Sequence, residues 1–264
     1  MNVYVLNWTH DAVRTMAAAA LLCYDKGGPM DAWRKAGNEV TARKIVQQCA
    51  ESGHGSVIEH ASFTFGIEGI SRACSHQLVR HRIGAFSQQS QRYVNLEEDC
   101  WEGGNLVYPP SFQMVPDRGH DLYALVKLDY RDWVDELEER GLEGEEANQD
   151  ARYVLPNACK TNIIWTTNFR NLIHVCSLRL CKRAQWEIRE LFERIVDVLS
   201  GEGAPADHRW MSSFLSPKCR QLGYCDEGAR SCGAMPKKEE VLAVYAMHGT
   251  ERKRFDGFRI GSIG

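Results

Sequence analysis

No glycine in this chain of 264 residues is followed by lysine, so a Walker A loop is absent. The Gly53-His54-Gly55 step does not continue into GxGxxG, which removes the Rossmann fingerprint, and no HExxH occurs. Any cofactor must be held by something other than the common glycine-rich loops. No apolar run approaches the roughly eighteen residues of a membrane span. The longest near the N-terminus, Met16 to Cys23, lacks a cationic lead and a cleavage context, so neither a membrane nor export is expected. A formal net charge of -3 excludes a globally basic nucleic-acid binder, though not a local basic patch.

The ten cysteines are broadly spaced in a long chain, which argues against a secreted disulfide scaffold. Cys23, Cys49, Cys74, Cys176 and Cys181 fall in apolar or helical settings that suit reduced, buried thiols. A cytoplasmic protein is expected.

The pattern along the chain mixes strands and helices. Residues 1–8 alternate as a strand does, 12–23 and 42–52 read as helices, and 61–70 is a β-branched and aromatic strand. A helix over 70–79 delivers the chain into a polar stretch after Arg80, read as a loop. A long helix is expected over 111–140, broken at Gly141 and resumed over 145–154. Residues 160–168 form a second clear strand, followed by helices over 169–181 and 184–199, with a less regular C-terminal part from 207. No repeat, linker or domain boundary is visible, so a single domain over 1–264 is expected. The absence of a strict βαβ rhythm makes the fold α/β or α+β, a single mixed sheet packed with helices.

Charge is strongly segregated. Residues 69–96 contain no Asp or Glu but carry Arg72, Arg80, Arg82 and Arg92 with His76 and His81. A second acid-free stretch, 151–186, carries Arg152, Lys160, Arg170, Arg179, Lys182 and Arg183 with His174. Ten of the 32 Lys and Arg thus lie where none of the 35 Asp and Glu do, leaving 22 cations against 35 anions elsewhere, a formal -13. Such cations need either a distant acidic partner or an anionic ligand. The predominance of Arg favours bidentate contacts to phosphate or a base edge. The counterweight, ten carboxylates between Asp129 and Asp150 against Arg131 and Arg140, has the pattern of a solvated helix face. Phe86, Tyr93, Trp165 and Trp186 could supply stacking for single-stranded nucleic acid, but the cations are few, so a small nucleotide with a phosphate-bearing cofactor fits better.

The segment 80–93, RHRIGAFSQQSQRY, resembles the signature of flavin-dependent thymidylate synthases: Arg80-His81-Arg82, seven residues, then Ser90, Arg92 and Tyr93. Two further segments match in order. One runs from Gly53-His54 through Glu59-His60 to the strand Phe63–Phe65. The other includes Arg152, Leu155-Pro156, Trp165, Asn168, Arg170, Leu178-Arg179 and Ala184-Gln185-Trp186-Glu187. The resemblance is dense over residues 50–190. Ala85, Ser87, Gln88 and His174 depart from the common pattern, and none of these departures removes an Arg.

The resemblance implies the thymidylate synthase-complementing type of fold in a homotetramer, with active sites where subunits meet. It implies FAD as cofactor and dUMP, methylene-tetrahydrofolate and NADPH as substrates, with no nucleic acid or membrane partner. No covalent enzyme nucleophile is involved, and none of the eight prolines precedes a cysteine, as the nucleophile of the other thymidylate synthase family would require. By the resemblance, Arg179 stabilises the ionised uracil as the catalytic residue, and the dUMP site also includes Gln77, Arg80, Gln88, Ser90, Gln91, Arg92 and Arg152. The FAD positions are His54, Ser56, Arg80, His81, Arg82, Ile83, Gln88, Asn168, Arg170 and His174.

Cys219, Cys225 and Cys232 stand in a glycine-rich stretch with C-x5-C-x6-C spacing. Three thiols with His208 as a fourth ligand would suit zinc, but the spacing is wider than in usual fingers. No metal ligand is assigned from sequence.

Overall fold

A computed structural model describes residues 1–94 and 104–247. Asn95 and Leu96 at the end of the first acid-free stretch, and residues 248–264 of the C-terminal segment, lie outside the described residues. In chain order the elements are β1 (Asn2–Trp8), α1 (Ala12–Leu22), α2 (Pro29–Lys35), α3 (Glu39–Glu51), α4 (Gly55–Ile58), β2 (Ser62–Ser71), α5 (Arg72–Leu78) and β3 (Ala85–Gln88). Then follow α6 (Pro116–Glu139), α7 (Glu145–Ala151), β4 (Lys160–Asn168), α8 (Phe169–Arg179), α9 (Trp186–Ser200), α10 (Ala206–Ser212), α11 (Lys218–Leu222) and α12 (Lys238–Met247). The strands form one sheet in the order β1-β2-β4-β3. The expected mixture of helix and a single sheet is what the chain adopts.

Two readings need correction. The polar stretch after Arg80, expected as loop, contains β3, because Gln88 and its neighbours find partners in the sheet that a sequence window cannot reveal. The C-terminal part is more regular than expected: α10, α11 and α12 lie within it, the first two each started by a proline at the N-cap.

Helix starts are set by side chains. The Asn38 side-chain oxygen accepts from the Thr41 N–H at 2.9 Å to open α3 at Glu39, three residues earlier than its apolar pattern suggests. At the end of β2 the Ser71 hydroxyl accepts from the Cys74 N–H at 3.0 Å, and at the end of β4 Asn168 accepts from the Asn171 N–H at 2.8 Å. Each of these strands therefore passes into a helix through one capping residue, without a loop.

The described residues group into two compact units, each assembled from separate stretches. The first holds 66–82 and 86–165, the second 3–65, 83–85 and the chain from Thr166 on. In the first, α6 and α7 pack an apolar seam of Tyr130, Val134, Ala147 and Ala151, and the Tyr130 hydroxyl donates to Asn148 at 3.1 Å. The carboxylates of α6 from Asp129 onward face solvent, as a solvated helix face requires. Trp165 is fully buried and its ring stacks on Phe86 at 6.2 Å, so it offers no open face to a base. Among the described cysteines all are free thiols; Cys74 and Cys176 are buried, while Cys49 and Cys181 are half-buried and Cys23 is exposed at the end of α1, contrary to expectation.

The core of the second unit is aromatic: Phe63 packs on Phe65 and Phe169, and Phe169 on Phe214. His208 is buried among them, its ring edge-on to Trp8 at 4.9 Å and to Phe63 at 5.2 Å, and its Nε2 has no hydrogen-bond partner. Burial holds this imidazole below its ordinary value of 6.5, with Asp207 opposing. The unfolded chain then takes up a proton that the folded chain refuses, so stability should hold above about pH 6.5 and fall as the pH drops below it. The urea midpoint as a function of pH measures this. His208→Phe should flatten the acid slope, and an unchanged slope in that variant overturns the assignment.

Candidate active site

Within the first unit, Arg72 opens α5 directly after the Ser71 cap, and Arg152 follows α7 in a single 3-10 turn. Both line a cavity of about 300 Å³ with His76, Gln91 and the 155–157 segment. The walls are tied by backbone: the Arg72 N–H donates to Cys159 and the Ala73 N–H to Asn157. Arg72 Nη2 donates to the Gln89 carbonyl at 2.9 Å, but its buried Nε has no partner. Arg152 Nε donates to the Gln149 carbonyl at 3.1 Å. Among the described residues no acidic side chain lines this cavity. Burial, and then the Arg152 charge, push Arg72 below its usual range, with the Cys159 thiol opposing. Two guanidiniums that disfavour each other, one with a free buried donor, make an anion site.

The other first-unit residues expected at the site divide into two kinds. Arg92 pairs with Glu145 of α7, so this cation finds its counter-charge in the acidic region. Its backbone N–H donates to the Ser90 hydroxyl at 3.2 Å, and its guanidinium lies over the Tyr93 ring. The Gln88 amide donates to Ser75 at 2.9 Å and Thr161 at 3.2 Å, which fixes β3. By contrast, Arg80 and Arg82 project into solvent, with His81 and Gln77 half-buried beside them in sequence. The structure thus brings Gln91 and Arg152 of the expected phosphate set to one cavity and adds Arg72 and His76. Arg72 was legible as a cation but not as a site residue; its position after a serine cap at a strand end is the signal that could have found it.

Within the second unit, α8 buries Phe169, Leu172, Ile173 and Cys176 and leaves Arg170, His174 and Leu178 on its outer face, four residues apart. Arg170 Nη1 donates to Glu59 at 2.6 Å. Its guanidinium lies against Gly55, where a Cβ would stand 2.6 Å from Nε and 2.7 Å from Cζ, so any larger residue at position 55 requires the Arg170 side chain to move. His54 and Ser56 are exposed on either side of Gly55, and His54 makes no side-chain cap bond to α4. Asn168 is used as the cap of α8. Asn171, absent from the sequence-based set, holds the 80–93 segment: its Nδ2 donates to the Ile83 carbonyl at 2.7 Å while the Ile83 side chain stays 63% exposed. The second unit thus carries an exposed apolar side chain, Ile83, and the donors His54, Ser56 and Arg170, a set of residue types that fits an aromatic ring system carrying phosphates, as a flavin dinucleotide is. Arg179 sits in the last turn of α8, half-buried, on the wall of a cavity of the second unit with Cys181 and Arg183.

The family model described as thymidylate synthase complementing protein matches residues 4–205. A flavin-dependent thymidylate synthase of Geobacter sulfurreducens is 44% identical over 249 residues, spanning 93% of this chain and 98% of its own. One from Nitratidesulfovibrio vulgaris is 40% identical over 253 residues, spanning 91% and 97%. A Helicobacter pylori flavin-dependent thymidylate synthase, solved with FAD and dUMP, superposes with a TM-score of 0.61 at 22% identity, covering 82% of this chain and all of that one. That likeness establishes the fold.

The contact between Gly55 and Arg170 is testable by stability. Gly55→Ala should cost about 1–3 kcal/mol in urea unfolding, since the guanidinium must move off Glu59. Combining it with Arg170→Ala should recover part of that loss; strict additivity of the two changes overturns the contact.

Proposed function

The chain belongs to the thymidylate synthase complementing protein family, the flavin-dependent thymidylate synthases, and we propose that it methylates dUMP reductively to dTMP. Methylene-tetrahydrofolate is the carbon donor in this reading and NADPH the reductant. The observation that carries the substrate class is the Arg72–Arg152 cavity, acid-free and lined by Gln91. A nucleotide 5′-phosphate placed there neutralises both guanidiniums and gives Arg72 Nε the acceptor it lacks.

FAD, when bound, supplies the hydride that completes the methyl group. His54, Ser56, Ile83, Arg170 and His174 of the second unit, with Arg80, His81 and Arg82, are the residues assigned to hold it. Asn168 and Gln88, also in that set, act through α8 and β3, which they fix. Arg80, Arg82 and His174 are solvent-facing and so are placed to meet a ligand's phosphates.

The chemical demand on the protein is to make C5 of uracil nucleophilic. A fixed cation at the N3–O4 edge stabilises the ring as its N3 proton leaves, so electron density reaches C5. The resemblance gives this task to Arg179, in active sites completed where subunits meet. A homotetramer is consistent with α6, whose Leu125, Leu128 and Trp133 remain about half or more exposed.

Anaerobic mixing of the reduced, FAD-loaded protein with dUMP and methylene-tetrahydrofolate should reoxidise the flavin with matching dTMP. A colourless protein that takes up no FAD overturns the reading. Arg179→Ala should abolish dTMP formation while flavin reduction by NADPH persists; normal turnover in that variant removes Arg179 from catalysis. Arg72→Gln and Arg152→Gln should each raise the KM for dUMP roughly 10- to 100-fold, as loss of a charge-assisted phosphate contact does. An unchanged KM for both places the phosphate elsewhere.

A further inference from the structure

The cavity that Arg179 borders has a second chemistry. Cys181, Cys219, Cys225 and Cys232 all line it, in a volume of about 320 Å³ within the second unit. They come from three places: the turn after α8, the helix α11, and the glycine-rich chain that follows it. Residues far apart in sequence thus bring four thiols to the walls of one cavity. His208, the fourth ligand suggested by sequence, is instead enclosed by Trp8 and Phe63. Cys181, 38 positions before Cys219, takes that place.

We propose that these four thiols form a tetrathiolate site for one zinc ion, which ties the segment after α11 to the end of α8. The cavity also holds the carboxylates of Asp226 and Glu227, but four thiols are the set that suits a structural zinc, with Zn–S bonds of about 2.3 Å. The backbone is arranged for thiolates. The Arg183 N–H points at Cys181 Sγ at 3.5 Å, and the Arg220 N–H at the Cys219 sulfur. Gly223, left-handed at φ 78°, ends α11 and turns the chain back toward the cavity. Cys225 is pinned beyond it by its N–H to the Pro236 carbonyl at 2.7 Å and a bridge to Lys237.

Binding releases the four thiol protons to solvent and changes no oxidation state. The same walls carry Arg179, Arg183, Lys218 and Arg230 against Asp226 and Glu227, Lys218 being paired with Asp226, so a net positive charge is left to meet the two negatives of the tetrathiolate. Among the described residues no three His, Cys, Asp or Glu side chains already stand at metal-binding spacing. The ion therefore contracts the cavity around itself, as coupled folding and metal binding does. Cys181 lies two residues past Arg179, so the metal also fixes the end of the helix that carries the catalytic cation.

The test is metal analysis of the full chain purified without chelator, with cobalt substitution as the spectroscopic probe. About one zinc per chain is expected, replaceable by cobalt with the intense visible bands of tetrahedral cobalt thiolate to the red of the flavin. Cys181→Ser, Cys219→Ser, Cys225→Ser and Cys232→Ser should each lose most of the metal, and Cys23→Ser should keep it. If a variant fails to fold, mercurial titration of the wild type decides: four thiols should be modified as the zinc is released. Wild-type protein without stoichiometric metal, metal retained in all four variants, or a disulfide joining two of the four overturns the proposal.

Discussion

The structure depends on the way two strands end. At Ser71 and at Asn168 a single side chain caps the next helix, so β2 becomes α5 and β4 becomes α8 with no intervening loop. A capped junction leaves the first helical residues little freedom. Arg72 is the first residue of α5, and Arg170 the second of α8. Each long cationic side chain is thus launched from a backbone set by a strand on one side and a cap on the other. The positions of charge follow from main-chain geometry, and only the tips remain to be placed.

What places the tips differs between them. Arg92 and Arg170 are drawn to carboxylates, Glu145 and Glu59, both from outside the acid-free stretches. Arg72 and Arg152 have no such partner among the described residues. The segregation of charge in the sequence therefore resolves into two populations: cations that brace the scaffold and cations that wait for a ligand. These exposed or half-exposed ion pairs add little stability individually. Their effect is on geometry, since Arg170 held on Glu59 closes over Gly55.

Most of the fold was legible because its signals are local. The alternation in 160–168, the FTF strand and the apolar face of α9 each repeat with the period of their element. The acid-free stretches and the 80–93 signature likewise needed no tertiary information. What escaped was set at a distance. Four residues of β3 are strand because they pair with β4 at the sheet edge, where Ser75 and Thr161 receive the Gln88 amide. Asn171 has no pattern of its own, yet it carries the Ile83 carbonyl across 88 positions. Sequence offered His208 beside the C-terminal thiols and not Cys181, because neither the aromatic enclosure of the histidine nor the approach of residue 181 has a local signal.

The unpartnered Nε of Arg72 has a consequence for the molecule between turnovers. Two guanidiniums that line one cavity, with no carboxylate beside them among the described residues, repel each other, and an anion that entered would relieve some of that repulsion. Stability and occupancy are then one equilibrium seen from two sides. On the proposed reading, inorganic phosphate, an ordinary buffer, would act on such a chain as a folding ligand and as a competitor for the same cavity. The solution in which the protein is kept would then set both how well it holds together and how much of that cavity is free.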